Sequence, residues 1–265
     1  VNRTSALTIA ISATALVLAG CSGSAEPAAA PATTPSSTTT TTTEAPAPRP
    51  ALDLSRFGAL PPVPQPTTDT VSCSYPEQSP AVKQVTAPAT DNVDVYGTVD
   101  VTLSTTAGPI GITLDRTPAP CTVNSVVSLV EQGYFDGSPC HRLTTSPGLE
   151  VLQCGDPSGS GRGGPGYTFA SEYPTTAYTD DPAQAENPVV YPRGTLAMAN
   201  AGPDTNGSQF FLVYADSVLP PQYTVFGTIS DAGLQTLDAI AAGGVTGGSE
   251  DGAPATPVIV ESATV

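Results

Sequence analysis

Apolar and polar positions alternate with a period near two in several short runs of this chain. Residues 99–103 (VDVTL) and 110–114 (IGITL) carry the pattern, and Gly108-Pro109 predicts a turn between them. The period then lengthens to that of a helix. Val123, Val126, Val127 and Val130 fall at i, i+3, i+4 and i+7, and Gly133 marks the helix end. Strand-like runs resume at residues 140–143 (CHRL), 151–154 (VLQC), 167–170, 195–200 (TLAMAN), 210–214 (FFLVY) and 258–260. A second helix is predicted over 233–242, with Leu234, Leu237 and Ile240 on one face. Many short strands broken by Gly and Pro, with only two helices, predict a mainly β fold: an antiparallel barrel closed by helices.

The first quarter of the chain has another texture. Arg3 precedes an uncharged apolar run, Ala6 to Leu18, too short to span a bilayer and followed by LAGC ending at Cys21. Residues 1–20 therefore read as an export signal. The LAGC sequence resembles a bacterial lipobox, which makes Cys21 the expected lipidated residue and the outer face of the cell membrane the expected location. Residues 21–68 include PAAAPATTPSSTTTTTTEAPAPRP and hold too little large apolar surface to offset their ordering entropy, so a disordered stalk is expected there. An extended pre-domain segment at 69–94 leads into a folded domain at 95–265.

Charge narrows the partners. With 24 acidic against 8 basic residues and a net charge of −16, the chain lacks the clustered cations that nucleic acid requires. Beyond Cys21 four cysteines remain, Cys73, Cys121, Cys140 and Cys154, which in an exported chain favours disulfides with three possible connectivities. Cys140 and Cys154 flank a hairpin-like stretch, so that pair is plausible, with Cys73 then tied to Cys121; the other two connectivities stay open. No cysteine has metal-site spacing and His141 is the lone histidine, so no metal site or cofactor is expected.

Residues 200–211 read NAGPDTNGSQFF, strong turn chemistry flanked by amides and paired aromatics. Together with CHRL, LQCGDPSGSGRGGPGYTFASE, RGTLAMANAGPDTNGSQFFLVY and YTVFGTI, in that order, this stretch resembles the cyclophilins. The likeness runs from about residue 95 to 260 and is strongest to lipid-anchored actinobacterial members. The resemblance implies a closed eight-stranded antiparallel barrel capped by two helices, with peptidyl-prolyl cis–trans isomerase activity in a groove on its outer surface. A non-catalytic module that binds proline-containing segments at the cell envelope is the alternative.

Rotating an X–Pro bond breaks no covalent bond. Its barrier, roughly 18–20 kcal/mol, comes from amide resonance. The resemblance makes Arg142 the catalytic cation, donating to the prolyl nitrogen, and Gln153 its orienting amide. It assigns substrate contact to Ala199, Asn200, Gln209, Phe211, Leu219, Tyr223 and Val151. Strand alternation sends Phe210 to the interior and Phe211 to the groove. His141 carries no proton role, since the reaction moves no proton. Gly159–Gly164 matches G-x-G-x-x-G by letter but opens no helix, so a nucleotide loop is rejected.

Departures from the family pattern lie near the pocket. The chain between Arg142 and Gln153 is about three residues longer than in common members. Counting back from Gln153 puts Glu150 where an aromatic is usual and Val151 in place of a Met, unless Leu149 fills the aromatic's space. Val218 stands for the rim tryptophan, Tyr223 for the more usual histidine and Asp204 for an asparagine. Without the indole, weak cyclosporin binding is expected. The expected state is a monomer acting on proline-containing polypeptides outside the cytoplasm.

Overall fold

The computed structural model describes residues 52–78 and 80–265. The signal, Cys21 and the stalk as far as residue 51 lie outside the described residues. Fifteen strands and two α-helices follow in chain order. They are β1 (Gly58–Ala59), β2 (Thr70–Val71), β3 (Val93–Asp94), β4 (Thr98–Thr105), β5 (Gly108–Asp115), α1 (Pro120–Glu131), β6 (Ser138–Pro139), β7 (Arg142–Thr144) and β8 (Val151–Cys154). After these come β9 (Val189–Tyr191), β10 (Thr195–Met198), β11 (Phe210–Val213), β12 (Ser217–Leu219), β13 (Val225–Ile229), α2 (Asp231–Ala242), β14 (Asp251–Gly252) and β15 (Ile259–Thr264).

Ten strands form one curled sheet in the order β14-β7-β8-β11-β10-β13-β5-β4-β15-β6. β6, the last strand at one end, is separated by only Cys140 and His141 from β7, the second strand from the other end, so one short segment links the two sides of the ladder. The fold is mainly β with two helices, as the periodicities predict. The Gly108-Pro109 turn is corrected: Thr105 pairs with Gly108, so Thr106 and Ala107 form the two-residue turn and Pro109 lies inside β5 opposite Ser104. Gly108, with φ +125°, supplies the conformation that lets the strand restart so early. The run at 167–170 forms only two isolated bridges, Glu77 with Tyr167 and Phe169 with Asn206.

Both helices bury the faces their periodicity marks. Val123, Val126, Leu129 and Val130 of α1, and Leu237 and Ile240 of α2, enter the core. Ser230 caps α2 by accepting from the Gly233 N–H at 3.1 Å. α1 takes no cap from its own flank. The half-buried Glu172, 50 residues away, accepts from the N–H groups of Cys121 (3.0 Å) and Thr122 (2.8 Å) and from the Thr122 hydroxyl (2.6 Å).

Residues 52–97 wrap the domain before β4 begins. β1 pairs in parallel with β9, Cys73 is bonded to Cys121, and Tyr75 sits edge-on to Tyr167 and Phe169 with ring centroids 5.5 and 5.7 Å away. Further along, the Val82 N–H donates to the Gly164 carbonyl at 3.0 Å. The second disulfide joins Cys140 to Cys154, the pairing that the hairpin spacing suggests.

The glycine-rich loop is organised around its own acid. Asp156 is fully buried and accepts from the N–H groups of Ser158 (2.8 Å), Arg162 (3.2 Å) and Gly163 (3.0 Å) and from the hydroxyls of Ser158 and Ser160. The N–H groups that a phosphate would need are filled by this carboxylate. Burial alone would push the Asp156 carboxyl up; hydrogen bonds led by Ser158 and Gly163 outweigh it and bring the pKa down to about 2. A depressed folded value contributes stability that is complete above about pH 4, the range of the unfolded carboxyl, and is lost as pH falls through the folded value. Urea unfolding from pH 5 down to pH 2 should therefore show a steeper acid loss for wild type than for Asp156→Asn. Parallel curves would remove this role from Asp156.

Candidate functional site

Register across four adjacent strands builds the site. Arg142 on β7 lies opposite Gln153 on β8, Gln153 opposite Phe211 on β11, and Phe211 opposite Ala197 on β10. Directly opposed residues of antiparallel strands share a face, so these four form one outward row. The next row, Leu143, Leu152, Leu212 and Leu196, is paired in the same order and fully buried on the inner face. The adjacent phenylalanines divide accordingly. Phe210 enters the main core with its ring centroid 5.7 Å from that of Phe135. Phe211 joins a second apolar cluster, with Tyr223 at 5.6 Å and Tyr191 at 6.5 Å.

That second cluster unites the apolar residues the resemblance implicates. Val151 stands opposite Val213, on the same face as Phe211, and Ala199, Leu219 and Tyr223 pack against the group. Leu149 packs there too. The Glu150 N–H is bonded to Ser217 Oγ at 2.9 Å, and partial burial pushes its carboxyl up. Tyr191 and Leu60 are members that sequence reasoning missed. The Tyr191 hydroxyl lies 3.2 Å from the carbonyls of both Pro220 and Tyr223 and accepts from the Tyr223 N–H at 3.3 Å, which holds the wall in place.

A polar edge runs beside the apolar wall. Arg142 Nη1 donates to Gln153 Oε1 at 3.4 Å, Gln153 Nε2 to Gln209 Oε1 at 3.0 Å, and Gln209 Nε2 to the Gly163 carbonyl at 3.0 Å. Each amide therefore presents its oxygen toward the arginine end and its nitrogen toward the glycine-rich loop. Arg142 Nε and Nη2 also donate to Asp251 Oδ1 and Oδ2, both at 2.7 Å. Accepting these bonds, Asp251 raises the Arg142 pKa, and the Arg142 donors lower the Asp251 pKa, so both charges persist. Asp251 is the charged partner that the sequence reading lacked.

Asn200 uses its side chain to shape the turn: Nδ2 donates to the Gln222 carbonyl at 2.9 Å and Oδ1 accepts from the Gly202 N–H at 3.2 Å. The Ala199 N–H donates to the Gln209 carbonyl at 2.9 Å. A cavity of about 470 Å³ opens between these residues and the glycine-rich loop, and Gln78, Pro80 and Val82 of the wrapping segment form part of its lining. His141 adjoins Arg142, but both its ring nitrogens are buried without a partner, and burial lowers its pKa, which keeps the imidazole neutral. Among the described residues, no cluster of three or more His, Cys, Asp or Glu could hold a metal ion, and no helix is long and apolar enough to cross a membrane. Charge, oriented amides and an apolar wall together suit recognition of a peptide with an apolar ring beside a polarisable amide.

Comparison with known proteins agrees with this geometry. The family model described as "Cyclophilin type peptidyl-prolyl cis-trans isomerase/CLD" matches residues 98–265. A "Probable peptidyl-prolyl cis-trans isomerase B" of Mycobacterium tuberculosis is 60% identical over 193 residues, covering 72% of this chain. The Mycobacterium leprae protein of the same name is 56% identical over 201 residues, covering 75%. This chain spans 63% and 68% of the lengths of those two relatives, respectively. A crystal structure of a Cryptosporidium parvum cyclophilin-type isomerase superposes with a TM-score of 0.50 at 28% identity, covering 63% of this chain and 97% of that one. With its family match extending through the curled sheet, both helices and the whole outward row, the chain is a member of the cyclophilin-type peptidyl-prolyl cis-trans isomerase family.

Proposed function

We propose that this chain catalyses cis–trans isomerisation of X–Pro bonds, with Arg142 donating to the prolyl nitrogen and the Phe211 wall gripping the ring. The observation that carries this reading is the register that sets Arg142, Gln153 and Phe211 side by side on one outward face. Twisting an X–Pro amide localises the nitrogen lone pair. A cation aimed at that nitrogen is stronger in the twisted state than in either planar one, which is the differential binding that catalysis needs. Val151, Leu219 and Tyr223 complete the grip on the ring, while Ala199, Asn200 and Gln209 align the peptide chain.

The wider setting follows the sequence. The apolar run before LAGC supports export, lipidation at Cys21 and anchoring on the outer membrane face, where the substrates would be exported polypeptides. The short link between β6 at one end of the ladder and β7 next to the other end supports a closed barrel, and we take the acting unit to be a single chain. A binding module without turnover is the rival reading; Leu149 packed in the apolar cluster supports a pocket that grips the ring.

A protease-coupled assay on an Ala-Pro peptide tests the mechanism. Arg142→Ala should lose about a hundredfold in kcat/KM, the scale seen when one preorganised charge-stabilising donor is removed; unchanged turnover would sink it. Cyclosporin should inhibit only weakly, because Val218 stands on β12 where an indole is usual. Inhibition in the nanomolar range would refute that expectation.

A further inference from the structure

One side of the Arg142 fork is already occupied. Nε and Nη2 donate in parallel to the two oxygens of Asp251 at 2.7 Å each, whereas the contact with Gln153 is 3.4 Å. By length, charge and number of bonds, the carboxylate and not the amide fixes the plane of the guanidinium. Arginine offers five N–H donors. Two face Asp251 and one faces Gln153, which leaves one on each Nη for a substrate.

The carboxylate arrives on an anchored strand. Asp251 on β14 pairs with Thr144 of β7, and Arg142 lies two residues further along the same face. That makes the two a diagonal cross-strand pair, a separation that long side chains bridge. The loop bearing Asp251 is held by the Thr145 N–H on the Glu250 carbonyl (2.8 Å), by Ser146 Oγ on Glu250 Oε2 (2.7 Å) and by the Thr246 N–H on the Ala253 carbonyl (2.8 Å). The Asp251 carboxylate accepts both of its hydrogen bonds from Arg142.

We infer that Asp251 is a positioning residue, which holds the Arg142 guanidinium in one plane at the edge of the Phe211 wall so that its two free N–H groups face the substrate. This rests on the isomerase reading above. The side chains of Arg142 and Asp251 are 38% and 53% exposed, so the pair contributes little to stability, and its consequence is orientation. An untethered arginine would surrender its rotamer freedom in the transition state; the fork removes that freedom beforehand.

The test compares turnover of an Ala-Pro peptide by wild type, Asp251→Asn, Asp251→Glu, Arg142→Ala and the double variant Arg142→Ala/Asp251→Asn, with thermal unfolding of each. Asp251→Asn should lower kcat about tenfold with KM within about twofold and the unfolding midpoint unchanged. Asp251→Glu, which keeps the charge, should recover part of the loss. In the Arg142→Ala background Asp251→Asn should have no further effect. Wild-type kcat in Asp251→Asn overturns the inference, as does an equal loss in the presence and absence of Arg142. If Arg142→Ala is impaired while Asp251→Asn is normal, only the positioning role fails. If Arg142→Ala is itself normal, the isomerase mechanism fails and the positioning role falls with it.

Discussion

Everything in the site depends on a two-residue period kept in register across β7, β8, β11 and β10. A slip of one residue in any of these strands would bring a buried leucine to the surface and turn Arg142, Gln153 or Phe211 inward. The core row Leu143, Leu152, Leu212 and Leu196 therefore does more than fill space. Its burial makes the correct register the stable one, and the outward row is placed as a consequence. A reaction without proton or bond transfer can be served by such an arrangement, because it asks for geometry and one persistent charge.

The polar groups around the row are ordered by mutual constraint. Gln153 and Gln209 each have one amide orientation dictated by the arginine at one end and the Gly163 carbonyl at the other. Gly163 is in turn held by Asp156, deep in the glycine-rich loop. A buried carboxylate thus sets the position of a carbonyl that orients two amides leading to the guanidinium. Each bond in this chain of groups constrains the next, and the buried Asp156 at its root makes an unmade bond there expensive, which favours a single arrangement over several.

Much of this was legible in the sequence, and for a physical reason. Phe210 and Phe211 could be sent to opposite faces because alternation is a local rule, and Arg142, Gln153 and Gln209 stood inside blocks whose order is specific. The helices announced themselves through valines and leucines at helical spacing. Asp251 was not legible: its contact with Arg142 spans 109 residues, and one of two adjacent acids in a Ser-Glu-Asp-Gly stretch resembles any solvated one. Tyr191 and Leu60 reach the wall through short strands with no periodic signal of their own. Leu149 and Glu150 could not be separated by counting, since one residue of difference in a stretch of altered length decides which faces the pocket.

The family match begins at residue 98, yet the physical unit does not. Half of one disulfide, the aromatic ring packed against Tyr167 and Phe169, a strand beside β9 and three residues lining the cavity all come from the chain before that point. A boundary drawn at the start of the family model would cut through contacts shared between the two parts. For this chain the packed unit and the span of the family model are different objects, and the cavity lining draws on the larger one.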